Sequence, residues 1–204
     1  DSWNFDIFAL DKLLGKHTMV VLVMHFVRAL KLDEQLNIHT ANLVRFVTKL
    51  QSGYKEVPFH TYVHACDVVQ GTVYFMCQPK IRPHIGALDM FAMILGAAMH
   101  DHGHPGINNA FAITAKDEMA IMYNDVSVLE SFHISSSWLI MQTEGFDPFE
   151  VFSAEQYLDV RQTMVQTILG TDMKFHFEHL AKFKTRASTD AFDDPDRNDT
   201  RLLL

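Results

Sequence analysis

Apolar residues recur at intervals of three and four along most of the chain, as in MVVLVMHFV at 19–27 and MFAMILGAAM at 90–99. That spacing lines one face of an α-helix, and the strict alternation of a half-buried strand is hard to find. The pattern predicts an all-α fold with helices over 6–14, 18–31, 40–51, 61–77, 86–100, 117–123, 127–144, 153–169 and 172–187. The breaks carry turn residues: Gly53, Pro58, QPKIRP at 78–83, HPG at 104–106 and EGFDP at 144–148. None is long enough for an interdomain linker, and no internal repeat or low-complexity tract interrupts the pattern, so one domain is expected over 1–204.

Composition narrows the function classes. With 48% hydrophobic and 21% charged residues the chain has the balance of a folded globular protein. A net charge of −8 without a basic stripe argues against a nucleic-acid surface, which needs clustered Lys and Arg. The apolar runs fall short of the ~20 residues of a membrane span and no signal peptide opens the chain, so a soluble segment without membrane contact is expected. Cys66 and Cys77 cannot form a disulfide framework. Both fall on a predicted helix, where a buried free thiol suits a reducing cytoplasm.

Chemistry concentrates in two stretches. HDHGHPG at 100–106 sets His100, Asp101, His102 and His104 directly after an apolar run. A lone His there is ordinarily a satisfied core or surface residue, but four metal-competent side chains together suggest a site. FHTYVHACDVVQ at 59–70 carries His60, His64 and Asp67, which helical spacing puts on one stripe. By itself this reads rather as an exposed pair on an amphipathic helix. Taken with His100 and Asp101, His64 completes a set of two imidazoles and one carboxylate suited to a borderline divalent ion such as zinc. The second oxygen of Asp101 could reach a further ion, and two ions ~3.5–4 Å apart suit hydrolysis at phosphorus. His60 is then left for acid–base work, for which an imidazole is the common choice near neutral pH.

The acidic stretch DAFDDPDRND at 190–199 spaces Asp194, Asp196 and Asn198 like the first ligands of a calcium loop, but Asp199 stands where the turn glycine is required. It is read as a solvated loop. The closing NDTRLLL at 198–204 looks like a cap and the first apolar turn of another helix.

These motifs, with WNFDIF at 3–8, HDHGHPGINNAF at 100–111, MYNDVSVLE at 122–130 and LGTDMKFH at 169–176, resemble the catalytic domain of class I cyclic nucleotide phosphodiesterases, within the HD-domain metallohydrolases. The resemblance runs nearly end to end. It implies a compact bundle of many helices and hydrolysis of 3',5'-cyclic nucleotides, cAMP or cGMP, to nucleoside 5'-monophosphates in second-messenger signalling. It makes His60 the proton donor to the leaving 3' oxygen. It makes His64, His100 and Asp101 metal ligands, with Asp101 shared between Zn2+ and Mg2+ or Mn2+. His104, Asn109, Glu130 and Thr171 fall where the family arranges waters and phosphate, while Phe59 and Met173 match its nucleotide pocket. Fused regulatory domains, a homodimer and a cytoplasmic location, or the cytoplasmic face of a membrane if tethered elsewhere, are compatible with it.

The chain departs from the family at Phe59 in place of Tyr, Thr61 in place of Asn, and Phe132 in place of the first His of E-N-H-H; Glu130 and His133 remain. The family's fourth metal ligand, an Asp, and its purine-gripping Gln are expected beyond Leu204, so this segment is read as the N-terminal and middle parts of a catalytic domain, of low activity by itself. Two alternatives stand beside hydrolysis of cyclic nucleotides. One is an HD-type phosphohydrolase of another phosphate ester, and the other a noncatalytic helical module that binds a nucleotide or partner.

Overall fold

A computed structural model describes residues 3–188. Among them are eleven α-helices and no strand: α1 Ile7–Leu14, α2 Thr18–Ala29, α3 Leu32–Gln35, α4 Thr40–Gly53, α5 Tyr62–Met76, α6 Ala87–Met99, α7 Asn109–Thr114, α8 Glu118–Met122, α9 Val128–Met141, α10 Ala154–Leu169 and α11 His176–Ser188. The acidic stretch at 190–199 and the helix start in NDTRLLL lie outside the described residues. No helix among the described residues is long and apolar enough to cross a membrane.

The all-α expectation holds, and the expected helices form with ends within a few residues. The differences are local. Helix α2 ends early because Lys31 adopts a left-handed conformation with φ 55°, and its N–H bonds the Arg28 carbonyl, so the chain restarts as α3. Helix α7 was not expected from periodicity. Its six residues are too few to display a period, and it starts instead on a cap, Asn108, whose side chain accepts from the Phe111 amide. Asp172 caps a 3-10 turn, Met173–Phe175, that delays α11 to His176. Cys66 is buried within α5, and burial pushes its thiol up to about 12; Cys77 follows the helix end and is only half-buried.

Helix α6 forms the axis of the bundle. After Asp89 in its first turn it is apolar on every side, ALDMFAMILGAAM, and a helix of that kind is stable only when surrounded. Helix α5 packs on one flank and α10 on another, with α2 and α9 completing the shell. Phe91, Ile94, Leu95 and Met99 of α6 are fully buried, against Val69 of α5 and Met164 of α10 in the same core. A small second core of Ala112, Ala120 and Val128 holds α7, α8 and the start of α9 together.

Two buried polar contacts fix the helix ends. Gln51 accepts from the Met19 amide at 3.0 Å and donates to the Gly15 carbonyl at 3.1 Å, tying α4 to the start of α2. The Tyr54 hydroxyl donates to the Ala98 carbonyl at 2.7 Å, pinning the last turn of α6. Beyond that turn the chain reverses through Gly103 and Gly106, at φ 72° and 83°, a region glycine enters without penalty. A Cβ on Gly103 would also meet the Phe132 ring at 3.0 Å.

The central helix sets a stability expectation. Leu95→Ala, at a fully buried position, should lower the unfolding free energy by about 2–5 kcal/mol in urea titrations. Leu158→Ala, at a 63% exposed position, should change it by no more than roughly 0.5 kcal/mol.

Candidate metal centre and active-site cleft

Asp101 follows the last turn of α6 and is buried with its carboxylate among histidines drawn from several segments. His100 Nε2 lies 3.1 Å from Asp101 Oδ2, and His64 Nε2, carried on α5, lies 3.5 Å from the same oxygen. On the other side His133 Nε2 of α9 is 3.9 Å from Oδ1. Helix α5 brings His64 because the residues beside it, Ala65 and Cys66, are buried in the core, which leaves His64 at the lip.

Tautomers follow from the backbone contacts. His100 Nδ1 faces the Ala97 carbonyl at 2.8 Å and His133 Nδ1 faces the His102 carbonyl at 2.7 Å. A carbonyl only accepts, so both Nδ1 atoms donate, and in the neutral His133 ring this leaves the lone pair on Nε2, on the side of Asp101. The Gly106 amide donates to His104 Nδ1 at 3.0 Å, which leaves the neutral ring's proton on Nε2.

Burial and charge work against each other here. Burial lowers His64, His104 and His133, the last two to about 4 and about 3. For His100 burial again works to lower the pKa, but the hydrogen bond and charge of Asp101 outweigh it and the net shift is upward. Burial would raise Asp101, yet the His100 hydrogen bond and the neighbouring imidazoles hold it at about 2. Asp101 is therefore an ionised carboxylate with three imidazole Nε2 atoms close to its two oxygens, a set of donors that a divalent cation satisfies. His64, His100 and Asp101 offer ligand atoms all within 4.8 Å of one another. Their N, N, O donor set, with each ring's other nitrogen or the second oxygen left for supporting bonds, suits a zinc-like ion. His60, Asp101 and His104 form a second convergent set by the same measure.

A cleft of about 460 Å³ opens beside the cluster, lined by His60, His104, Asn109, Leu129, Asp172 and Met173 among others. His60 sits in the bend before α5 and stacks on His104 with ring centroids 3.8 Å apart and planes 11° from parallel. Asn109 donates to Glu130 Oε2 at 2.9 Å and accepts from the Leu129 amide at 2.9 Å, joining α7 to the first turn of α9. Burial raises the Glu130 pKa, with Asn109 acting against it.

The sequence-derived residues thus divide. His60, His64, His100, Asp101 and His104 are brought together, with Asn109 and Glu130 beside them. Phe59 is 61% exposed and packs its ring 4.5 Å from that of His64, at the rim of the ligand cluster, whereas Met173 lines the cleft itself. Thr171 is exposed and its hydroxyl donates to the Ile168 carbonyl at 2.7 Å; the next residue, Asp172, is the one that is buried and faces the cleft. Asp67 is exposed and belongs to neither ligand set. Thr61 precedes α5 without capping it through its side chain. Phe132 covers Gly103, while the retained His133 is the buried ring that stacks at 5.4 Å on His104. His133, Ser127 and Asp172 were not picked out as site residues, although SVLE contains Ser127, T-D-M contains Asp172 and His133 is the retained His of the E-N-H-H run.

Comparisons with known proteins agree with this geometry. The family model described as 3'5'-cyclic nucleotide phosphodiesterase matches residues 59–204. The dual specificity calcium/calmodulin-dependent 3',5'-cyclic nucleotide phosphodiesterase 1B of Bos taurus is 33% identical over 187 residues, 91% of this chain and 35% of the relative. The 3',5'-cyclic-nucleotide phosphodiesterase regA of Dictyostelium discoideum is 32% identical over 100% of this chain and 25% of its own length. The chain thus spans about a quarter to a third of these relatives. The crystal structure of the phosphodiesterase domain of Salpingoeca rosetta rhodopsin phosphodiesterase superposes with a TM-score of 0.89 at 28% identity, over 99% of this chain and 60% of that one. The motifs, the helical architecture and the matched residues together place the chain in the 3'5'-cyclic nucleotide phosphodiesterase family.

Proposed function

We propose that the protein hydrolyses 3',5'-cyclic nucleotides to nucleoside 5'-monophosphates, and that His64, His100 and Asp101 hold zinc while Asp101 also reaches a second ion, magnesium or manganese. The observation that carries this reading is the convergence of three imidazoles on both oxygens of one buried carboxylate, next to a cleft with a further histidine at its edge. When bound, the divalent ions supply electrophilic stabilisation of the phosphoryl oxygens and lower the pKa of the attacking water.

The chain's own groups account for the remaining work. Water adds to phosphorus and the bond to the 3' oxygen breaks, so that oxygen needs a proton, which His60 supplies. Stacking on His104 holds the His60 ring in one plane, and His104, fixed by Gly106 as a neutral Nε2–H donor, can bond a phosphate oxygen or water. Glu130, held by Asn109, can orient water at the cleft. Met173, 72% exposed on the cleft wall, offers an apolar surface to a base. The two free thiols support a reducing, cytoplasmic setting.

Turnover of cyclic AMP and cyclic GMP by the full chain, measured side by side with a panel of other phosphate esters, tests the activity; preference for one of the other esters would replace this reading. The metal assignment is checked by elemental analysis of purified variants. Asp101→Ala should lose both ions and His64→Ala chiefly zinc, whereas parental metal content in Asp101→Ala contradicts the assignment. His60→Asn should lower turnover by roughly 10²–10⁴-fold, the usual worth of a positioned general acid, while retaining metal. Loss of metal from that variant would make His60 a ligand through the second convergent set.

A further inference from the structure

Helix α9 begins in an unusual way. Asn124, Asp125 and Ser127, immediately before it, all have positive φ, at 55°, 63° and 40°. Non-glycine residues enter that region at a cost, so three in four positions mark a segment held by its surroundings. Ser127 occupies the cap position of α9, yet its side chain does not cap the helix. Its hydroxyl instead donates to Asp172 Oδ2 at 2.8 Å, a contact buried from solvent at both ends. The capping duty passes to another helix, since Asn109 Oδ1 accepts the Leu129 amide.

Asp172 is doubly engaged. Its other oxygen accepts from the Lys174 amide at 2.9 Å and so shapes the turn that carries Met173 into the cleft. Through Ser127 the same carboxylate holds the backbone three residues before Glu130. Glu130 then stands on two tethers, Asn109 from α7 and Asp172 from the turn after α10, and both tethering residues line the cleft.

We infer that Asp172 and Ser127 are positioning residues, a buried latch that holds the start of α9 and thereby sets Glu130 and Asn109 against the cleft; the catalytic consequence rests on the reading of the site as a phosphodiesterase centre. The latch joins three parts of the cleft wall, because α7, the first turn of α9 and the 172–173 turn meet through it and through Asn109. A hydrogen bond to a carboxylate, buried as this one is, has the strength for that role.

The full chain, with metal content and melting temperature recorded for each variant, provides the test. Ser127→Ala and Asp172→Ala should each speed hydrogen exchange at the Leu129 and Ser131 amides by about tenfold or more, the scale of losing a charge-assisted hydrogen bond. Each should lower kcat by about tenfold while KM stays within about threefold and metal is retained, the split expected when a transition-state contact is misplaced. The double variant should be no worse than Asp172→Ala alone, since Ser127→Ala removes only a bond that variant has already lost. Asp172→Asn, whose amide can still bond the Ser127 hydroxyl and the Lys174 amide, should keep near-parental exchange. Unchanged exchange at Leu129 in Ser127→Ala, strictly additive losses in the double variant, or parental kcat despite faster exchange would each overturn the inference. If the parent turns over no cyclic nucleotide, the proposed activity fails, and the exchange measurements alone decide for or against the latch.

Discussion

Everything in this protein is arranged around a carboxylate that must stay ionised out of water. Asp101 stands, buried, just beyond a helix that is apolar after Asp89, and a charge in that position is tolerable only with compensating partners. The partners are imidazoles from three places: His64 on α5, His100 beside Asp101, and His133 on α9. The helices that deliver them are the ones that pack around α6, so the core and the site are one construction.

The same burial that makes the charge expensive makes the histidines useful. Excluded from water, His104 and His133 remain neutral across the physiological range, and their backbone contacts decide which nitrogen carries the proton. A neutral ring with a fixed tautomer is what a metal ligand or an oriented donor requires. His60 differs in place and surroundings, lying at the cleft edge on the face of His104 rather than inside the cluster around Asp101.

The far wall of the cleft obeys a different logic. Helices α7 and α8 are short and share only a small apolar core with the start of α9, so packing contributes little to their placement. Polar contacts take over, from Asn109 to Glu130 and Leu129 and from Ser127 to Asp172. Three residues just before α9 are left-handed: the Ser127 side chain is held by Asp172, while the Asn124 and Asp125 amides bond the Ile121 and Ala120 carbonyls of α8.

How much of this was legible in the residues follows from the range of each interaction. The long helices were, because MFAMILGAAM and its neighbours repeat an apolar face over enough turns to show it. So was much of the donor cluster, because HDHGHPG and FHTYVHACDV place metal-competent groups at helical or adjacent spacing, and His60, His64, His100, Asp101 and His104 of these converge while Asp67 and His102 do not. Helix α7 was not, since a six-residue element announces itself only by its cap at Asn108. The exchange of Thr171 for Asp172 as the cleft residue was not legible either, because which of two adjacent polar side chains turns inward depends on Ser127, 45 residues away, and on the turn that Lys174 closes. Sequence alone determined the helices and the chemistry of the donors, both products of local spacing. Tertiary structure decided tautomers, charge states and the far wall of the cleft, because each is set by a partner that only folding brings within hydrogen-bonding distance.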